Sequence, residues 1–296
     1  IELYKSVNDE IGVADCYNYI GYSFSYLNSI ENSFKYYIKA LDIYLKLNDS
    51  VGMADVYTGF GNLYYEQENY IRAEDYYSKS LNIYNALKDT EGVLSSYINL
   101  GNTISENGST KQGLDYYFKS IELSKEIDDY EGLAVNYANI GECYLIQGDY
   151  KKALSYLNKS IEISDENNYK LLHPLVYSNI ASVYLKLKQY NKVIFYANKS
   201  VSASKNTPWV NVEYDAHSHL SSAHEELGNY KKALENHKLF KKFTDSIYTL
   251  KKVEQVTKLD VLQTLEDKEK QIDALEENED VKTLKLKTQQ LLSFVL

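Results

Sequence analysis

The chain has 296 residues, 44% of them apolar and 31 of them tyrosine, enough to bury a sizeable core in one large domain or two ordinary ones. Two prolines and 13 glycines favour helices over turn-rich β structure. The formal charge is −10 with no basic stripe, which argues against nucleic acid as a direct partner, and no apolar run reaches the roughly 18 residues that span a membrane.

At the front, the stretch from Ile1 to Asp9 aligns with Leu41 to Asp49. Residues 1–8 therefore read as the tail of a second helix, with at least one further repeat expected upstream in the parent protein. From there glycines recur at Gly12, Gly52, Gly92 and Gly132, forty residues apart. A second series is Gly21, Gly61, Gly101 and Gly141, continued by Ala181 and Ser221. Tyr17, Tyr57, Tyr97, Tyr137 and Tyr177 keep the same step, with His217 completing it. Ser33, Ala73, Gly113, Ala153, Val193 and Ala233 form a third, mostly small series. Six copies in register without insertion define units at 9–48, 49–88, 89–128, 129–168, 169–208 and 209–248.

Each unit reads as two helices. In the fourth, Asp128 or Asp129 caps a helix whose inner face is Ala134, Tyr137, Ile140, Gly141, Tyr144 and Leu145. Gly148-Asp149 breaks it, and Tyr150 opens a second helix with Ala153, Leu154, Leu157, Ile161 and Ile163 inward. A mid-helix glycine costs about 1 kcal/mol relative to alanine, so it is kept where two backbones approach closely. Gly141 against Ala153 is the expected contact, with tyrosines wedged between neighbouring helices. A pair that cannot bury its apolar face alone must stack on its neighbours. Cys16 and Cys143 fall at different places in the repeat and are expected to be free thiols.

The order small, aromatic three later, small nine after that, then aromatic and small again resembles the tetratricopeptide repeat (TPR). It is carried by Gly141, Tyr144, Ala153, Leu157 and Ser160 in the fourth unit and by Gly61, Tyr64, Ala73, Tyr77 and Ser80 in the second. The resemblance covers residues 9–248, in a forty-residue variant with degenerate fifth and sixth units (Ala181, Val193, Ser221 and His237 in signature places). It implies an all-α, right-handed α-solenoid of stacked antiparallel helix pairs, a protein- or peptide-binding scaffold without cofactor.

After residue 248 the period stops, and residues 249–296 read as a long charged helix, with eight acids and two lysines between Thr264 and Asp280. Leu265, Ile272 and Leu286 share a heptad position, interrupted by Glu279 and Lys282. A homodimeric coiled coil and a cap folded back on the sixth repeat both remain open. This segment, ending in LLSFVL, resembles the region C-terminal to such arrays in membrane-anchored signalling regulators of the Bacteroidota type. There the array is a sensory region, and a transmembrane helix and a histidine-kinase or DNA-binding output come next. That places a membrane anchor beyond Leu296 in the parent, on a side of the membrane left undetermined.

In related arrays the first helices line a concave groove. Two positions of each unit fall there. The earlier holds Tyr19, Gly59, Asn99, Asn139, Asn179 and His219, and the later holds Tyr22, Asn62, Asn102, Glu142, Ser182 and Ser222. Asn99 and Asn102 share one helix face. An amide both donates and accepts, so it can grip an extended peptide backbone regardless of sequence. The site is therefore Tyr19, Tyr22, Asn62, Asn99, Asn102, Asn139, Glu142 and Asn179. The competing reading is solvated surface, since the chain has 25 asparagines. His217, His219, His224 and His237 cluster late in the chain, and core substitution outweighs a zinc site there. No nucleophile–base pattern, phosphate-cradling glycine loop or HExxH is present, and Cys143, beside Glu142, should face the interior. The expectation is a binding module without enzymatic activity, the sensory or interaction region of a bacterial regulator. The alternative is a soluble peptide-responsive TPR regulator that binds a response regulator or transcription factor.

Overall fold

The computed structural model describes residues 1–27, 29–205, 210–242, 244, 267–268, 270–278, 280 and 282. The described elements are helices, joined by short turns. They are α1 (Glu2–Ser6), α2 (Glu10–Tyr26), α3 (Ile30–Leu47), α4 (Ser50–Glu66), α5 (Tyr70–Leu87), α6 (Thr90–Glu106), α7 (Thr110–Glu126), α8 (Tyr130–Ile146), α9 (Tyr150–Glu166), α10 (His173–Lys186), α11 (Tyr190–Ser204) and α12 (Val210–Glu226). A 3₁₀ turn, Lys170–Leu172, precedes α10, where Pro174 occupies the first helical turn. Residues 230–242 form α13 and residues 270–278 form α14. The chain divides into two compact units, residues 1–103 with 255–296, and residues 104–254.

Helix ends follow a twenty-residue beat. Positive φ occurs at Asn8, Asn48, Glu68, Lys88, Gly108, Asp128, Gly148, Asn168, Lys188 and Gly228, each just past a helix. At each such end the next amide donates five residues back, as Asp49 N–H does to Tyr44 O at 2.9 Å and Asp149 N–H to Tyr144 O at 2.9 Å. That is a left-handed cap closing the last turn. The residue following the cap starts the next helix. Asp9 accepts from the Gly12 amide, Asp49 from Val51 and Gly52, Asn69 from Arg72, Asp129 from Gly132 and Asp149 from Lys152. Of Asp128 and Asp129, the latter is the N-cap and the former the left-handed turn.

In the first unit, α2 pairs with α3 and α4 with α5, and α3 packs on α4. Its core is aromatic: Phe34 stacks on Phe60 at 5.3 Å and Tyr64 on Tyr76 at 5.5 Å. In the second, α8 pairs with α9 and α10 with α11, while α7 packs on α8 and α11 on α12. Its cores are aliphatic, around Ala153, Leu157, Val176 and Ile180, and around Val193, Ala197, Ala216 and Leu220. Cys143 is buried and both cysteines are free thiols.

The nearest neighbours of the glycine come from the residue sixteen on. A Cβ at Gly141 would stand 2.6 Å from Leu157 Cγ and 3.2 Å from the Leu157 backbone nitrogen. Likewise a Cβ at Gly61 would meet Tyr77 Cε1 at 2.5 Å, and one at Gly21 would meet Tyr37 Cδ1 at 2.7 Å. The glycine is a hole for the large side chain sixteen residues on. The small residue twelve on plays a different part where it is serine: Ser33 Oγ donates to Gly21 O at 2.7 Å. The last small residue of the signature is a latch between the two helices. Ser80, Ser160 and Ser200 donate to the carbonyls of Ala54, Ala134 and Pro174, at 2.7–3.0 Å.

Among the described residues no helix is long and apolar enough to cross a membrane. Gln255–Leu296 belongs with the first unit, where Glu276 of α14 touches Tyr57 of α4 and Lys79 of α5. The coiled coil and the cap on the last repeat rest mostly on residues 249–296 that lie outside the described ones. LLSFVL and the heptad residues Leu265 and Leu286 lie outside the described residues.

Candidate binding face

In the first unit, Tyr19 and Tyr22 on α2 are 72% and 61% exposed, large aromatic surface without cover. On α4 the position of Tyr19 is taken by Gly59, where a Cβ would stand 2.6 Å from Tyr37 Cζ. Asn62 is half-buried, and its Oδ1 accepts from Tyr77 Oη at 2.7 Å, so half of its amide is committed to the fold. Asn99 and Asn102 on α6 are half-buried.

In the second unit, Asn139 and Glu142 lie on α8, Asn179 and Ser182 on α10, His219 and Ser222 on α12, all half-buried. Ser182 Oγ and His219 Nε2 are 2.9 Å apart. Burial pushes the His219 ring down to about 4, so it is neutral. Burial, and secondarily the charge of Glu106 and of Asp215, holds the Glu142 carboxyl above its usual range; nearby Asn179 works against them. Burial likewise raises Asp215. Among the described residues the buried His219 Nδ1 has no hydrogen-bonding partner. The face thus combines amide and hydroxyl groups with the half-buried Glu142 carboxyl and the exposed Glu106 and Asp215.

Beyond Glu142, further acids of the first helices recur with the repeat. Asp15, Asp55 and Asp215 share one repeat position, and Glu66 and Glu106 share another. Tyr44 Oη donates to Asp15 Oδ1 at 2.7 Å, and Tyr84 Oη donates to Asp55. Burial raises both Asp55 and Glu66. The forty-residue step was the signal that could have found them.

Of the histidines, His217 Nδ1 lies 2.9 Å from Asn236 Oδ1, His224 is buried, and His237 packs beside the Phe240 ring. Among the described residues no three histidine, cysteine or acidic side chains are grouped so as to hold a metal ion.

Paired antiparallel helices of regular length, stacked pair on pair within each unit, define an α-solenoid of helical-hairpin repeats. Tetratricopeptide repeat models match residues 12–86 and 92–166, and a further one matches 175–207. The chain belongs to the tetratricopeptide repeat family. No curated protein matches. Among solved structures, apo RapI is similar at 17% identity with TM-score 0.60, over 80% of this chain and 99% of that one. The STAND protein PH0952 of Pyrococcus horikoshii, which carries a TPR sensor, is similar at 19% identity and TM-score 0.67, over 83% of this chain and 39% of that one. The Rap conjugation gene regulator of plasmid pLS20, in complex with the Phr* peptide, matches at 13% identity and TM-score 0.62, over 92% of this chain and 78% of that one. At these identities the likeness is one of fold.

Proposed function

We propose that the first-helix face binds an extended peptide or a flexible segment of a partner protein, with Asn139, Glu142 and Asn179 central and Tyr19, Tyr22, Asn62, Asn99 and Asn102 continuing the same role in the first unit. The observation that carries this reading is the row on α8 and α10, where the half-buried amides Asn139 and Asn179 recur at forty-residue spacing beside the half-buried Glu142, whose carboxyl is held above its usual range. Amides take peptide N–H and C=O groups irrespective of side chain. Glu106, Glu142 and Asp215 add a preference for ligands bearing lysine, arginine or a free amino terminus. The role is binding without catalysis, in the interaction region of a bacterial regulator. The likeness to a Rap regulator in complex with a peptide supports the peptide-responsive form of that role. The membrane-anchored form rests on the segment after residue 248 alone. Residues 9–248 act as six repeat units in this reading.

The test is selection from a random peptide library on the intact chain, followed by titration of the selected peptide against Asn139→Ala with Asn179→Ala. Affinity should fall at least about tenfold, the size of losing one or two good hydrogen bonds, at unchanged melting temperature. Unchanged affinity would remove this face as the binding site.

A further inference from the structure

Along the second helices, at the same forty-residue interval, a lysine lies over two tyrosine rings, one from each helix of its pair. Lys39 stands 5.3 Å from the Tyr17 centroid and 5.2 Å from that of Tyr36. Lys79 stands 5.5 Å from Tyr57 and 4.9 Å from Tyr76. In the second unit Lys159 covers Tyr137 and Tyr156 at 5.5 and 5.1 Å, and Lys199 covers Tyr177 and Tyr196 at 4.9 and 6.0 Å. Each stack sets an ammonium beside a phenol, a pair of donors matched to a carboxylate.

One stack of the first unit is filled. Glu276 Oε1 accepts from Tyr57 Oη at 3.0 Å and from Lys79 Nζ at 3.3 Å, and its Oε2 from the same Nζ at 3.2 Å. Asp75 Oδ2 of α5 stands 3.8 Å from that Nζ. One turn earlier on α14, Ile272 is fully buried, and Leu275 is half-buried. The docked helix therefore offers an apolar residue at i and an acid at i+4 on one face. Tyr57 and Tyr76 are 5% and 0% exposed and Lys79 is half-covered. Their counterparts in the second unit are open: Tyr137, Tyr156, Tyr177 and Tyr196 are half-exposed, Lys159 and Lys199 exposed. Among the described residues neither Lys159 nor Lys199 makes an ion pair. Beside Lys199 lies an open hollow of about 720 Å³, walled by Tyr177, Ile194, Phe195, Ser202 and Ala203. Phe195 is 54% exposed there, and Lys199 lies 5.0 Å from its centroid. Ile194 and Phe195 give the hollow an apolar side beside the Lys199 cation and the Tyr177 phenol, with Asn191 and Asn198 also on its lining; that apolar side with its cation and phenol is the counterpart of the Ile272 and Glu276 face.

We propose that the stack of Tyr177 and Lys199, with its hollow, docks an acidic amphipathic helix of a partner protein in the manner in which Tyr57 and Lys79 hold α14. The partner helix places an apolar side chain against Ile194 and Phe195, and a carboxylate one turn on between the Tyr177 hydroxyl and the Lys199 ammonium. The second-helix side that carries this stack is distinct from the first-helix face, so the two can be occupied together.

The probe is a fluorescein-labelled synthetic peptide of residues 264–282, titrated by anisotropy into the full chain at low salt. Saturable binding is expected. Lys199→Ala should weaken it about tenfold, the size of one hydrogen bond between charged groups, and so should Glu276→Gln in the peptide. Tyr177→Phe, which keeps the ring and removes the hydroxyl, should weaken it less. Asn179→Ala, on the other face, should leave it unchanged. Helical circular dichroism of each variant confirms that it is folded. Absence of saturable binding to the wild-type chain overturns the proposal. So does binding indifferent to Lys199→Ala or to the peptide glutamine, and so does binding abolished by Lys79→Ala or Asn179→Ala in place of Lys199→Ala.

Discussion

Replacing Gly61 by alanine tests the packing rule of the repeat, because helix propensity and tertiary packing predict opposite signs. On propensity alone the change stabilises by about 1 kcal/mol. In the structure the new Cβ would lie 2.5 and 2.6 Å from Cε1 and Cδ1 of Tyr77, a ring only 3% exposed and tethered by its hydroxyl to Asn62 at 2.7 Å. The ring has to shift by about 1 Å, an overpacking strain of about 1–3 kcal/mol. That shift also loosens a hydrogen bond worth about 1 kcal/mol. Against the propensity gain, a net loss of about 1–3 kcal/mol remains. In a Tyr77→Ala background the obstacle is gone, and the same Gly61→Ala change should stabilise by about 1 kcal/mol. The pair should therefore show a coupling of about 2–4 kcal/mol in a double-mutant cycle followed by urea unfolding. Repeat five already carries the exchange, with Ala181 facing Ala197 and both fully buried. Equal stabilisation by Gly61→Ala in both backgrounds would refute the hole-and-ring account.

Glu142→Gln should raise the melting temperature at pH 7–8. The folded state holds that carboxyl above its usual range, so its contribution favours low pH and is lost as pH rises through the folded value. Calorimetry should show the gain shrinking as pH falls toward about 4, and the same variant should bind cationic peptides less well. His219 works with the opposite sign: its folded value of about 4 lies below the unfolded value of about 6.5, so its contribution is complete above pH 6.5 and lost as pH falls to 4. His219→Gln should flatten that part of the stability profile, measured by urea midpoints at several pH values; an unaltered slope would count against a neutral buried ring. Lys188→Gly, at φ 56° just past α10, should stabilise by up to about 1 kcal/mol by relieving the left-handed strain of a residue that carries a Cβ, read from thermal melts.

The period, the helix pairs and the inward faces were legible because packing repeats every forty residues and spacing alone reveals that. Where the sequence misled, the cause was local geometry. Lys88, Lys188 and Glu68 occupy left-handed caps that composition does not announce, since the surrounding hydrogen bonds hold them there without glycine. At Gly141 the nearest atoms belong to Leu157, a large residue that a search for paired small residues passes over. On the candidate face, the asparagines stand out as peptide-gripping groups, yet Asn62 is half spent on Tyr77. Asp15 and Asp55 escape notice because exposed acids look like solubility until their partners, the Tyr44 and Tyr84 hydroxyls, are known. The docking of α14 on Tyr57 and Lys79 bridges 219 and 197 residues of sequence, and no periodicity connects its partners.

Site-specific photocrosslinking tests the binding face most directly. A benzophenone amino acid placed at Ser182 or Ser222, beside Asn179 and His219, should capture a library-selected peptide, while the same probe at exposed Asn158 on α9 should not. Capture from Asn158 with none from Ser182 or Ser222 would contradict the assignment of binding to the first helices.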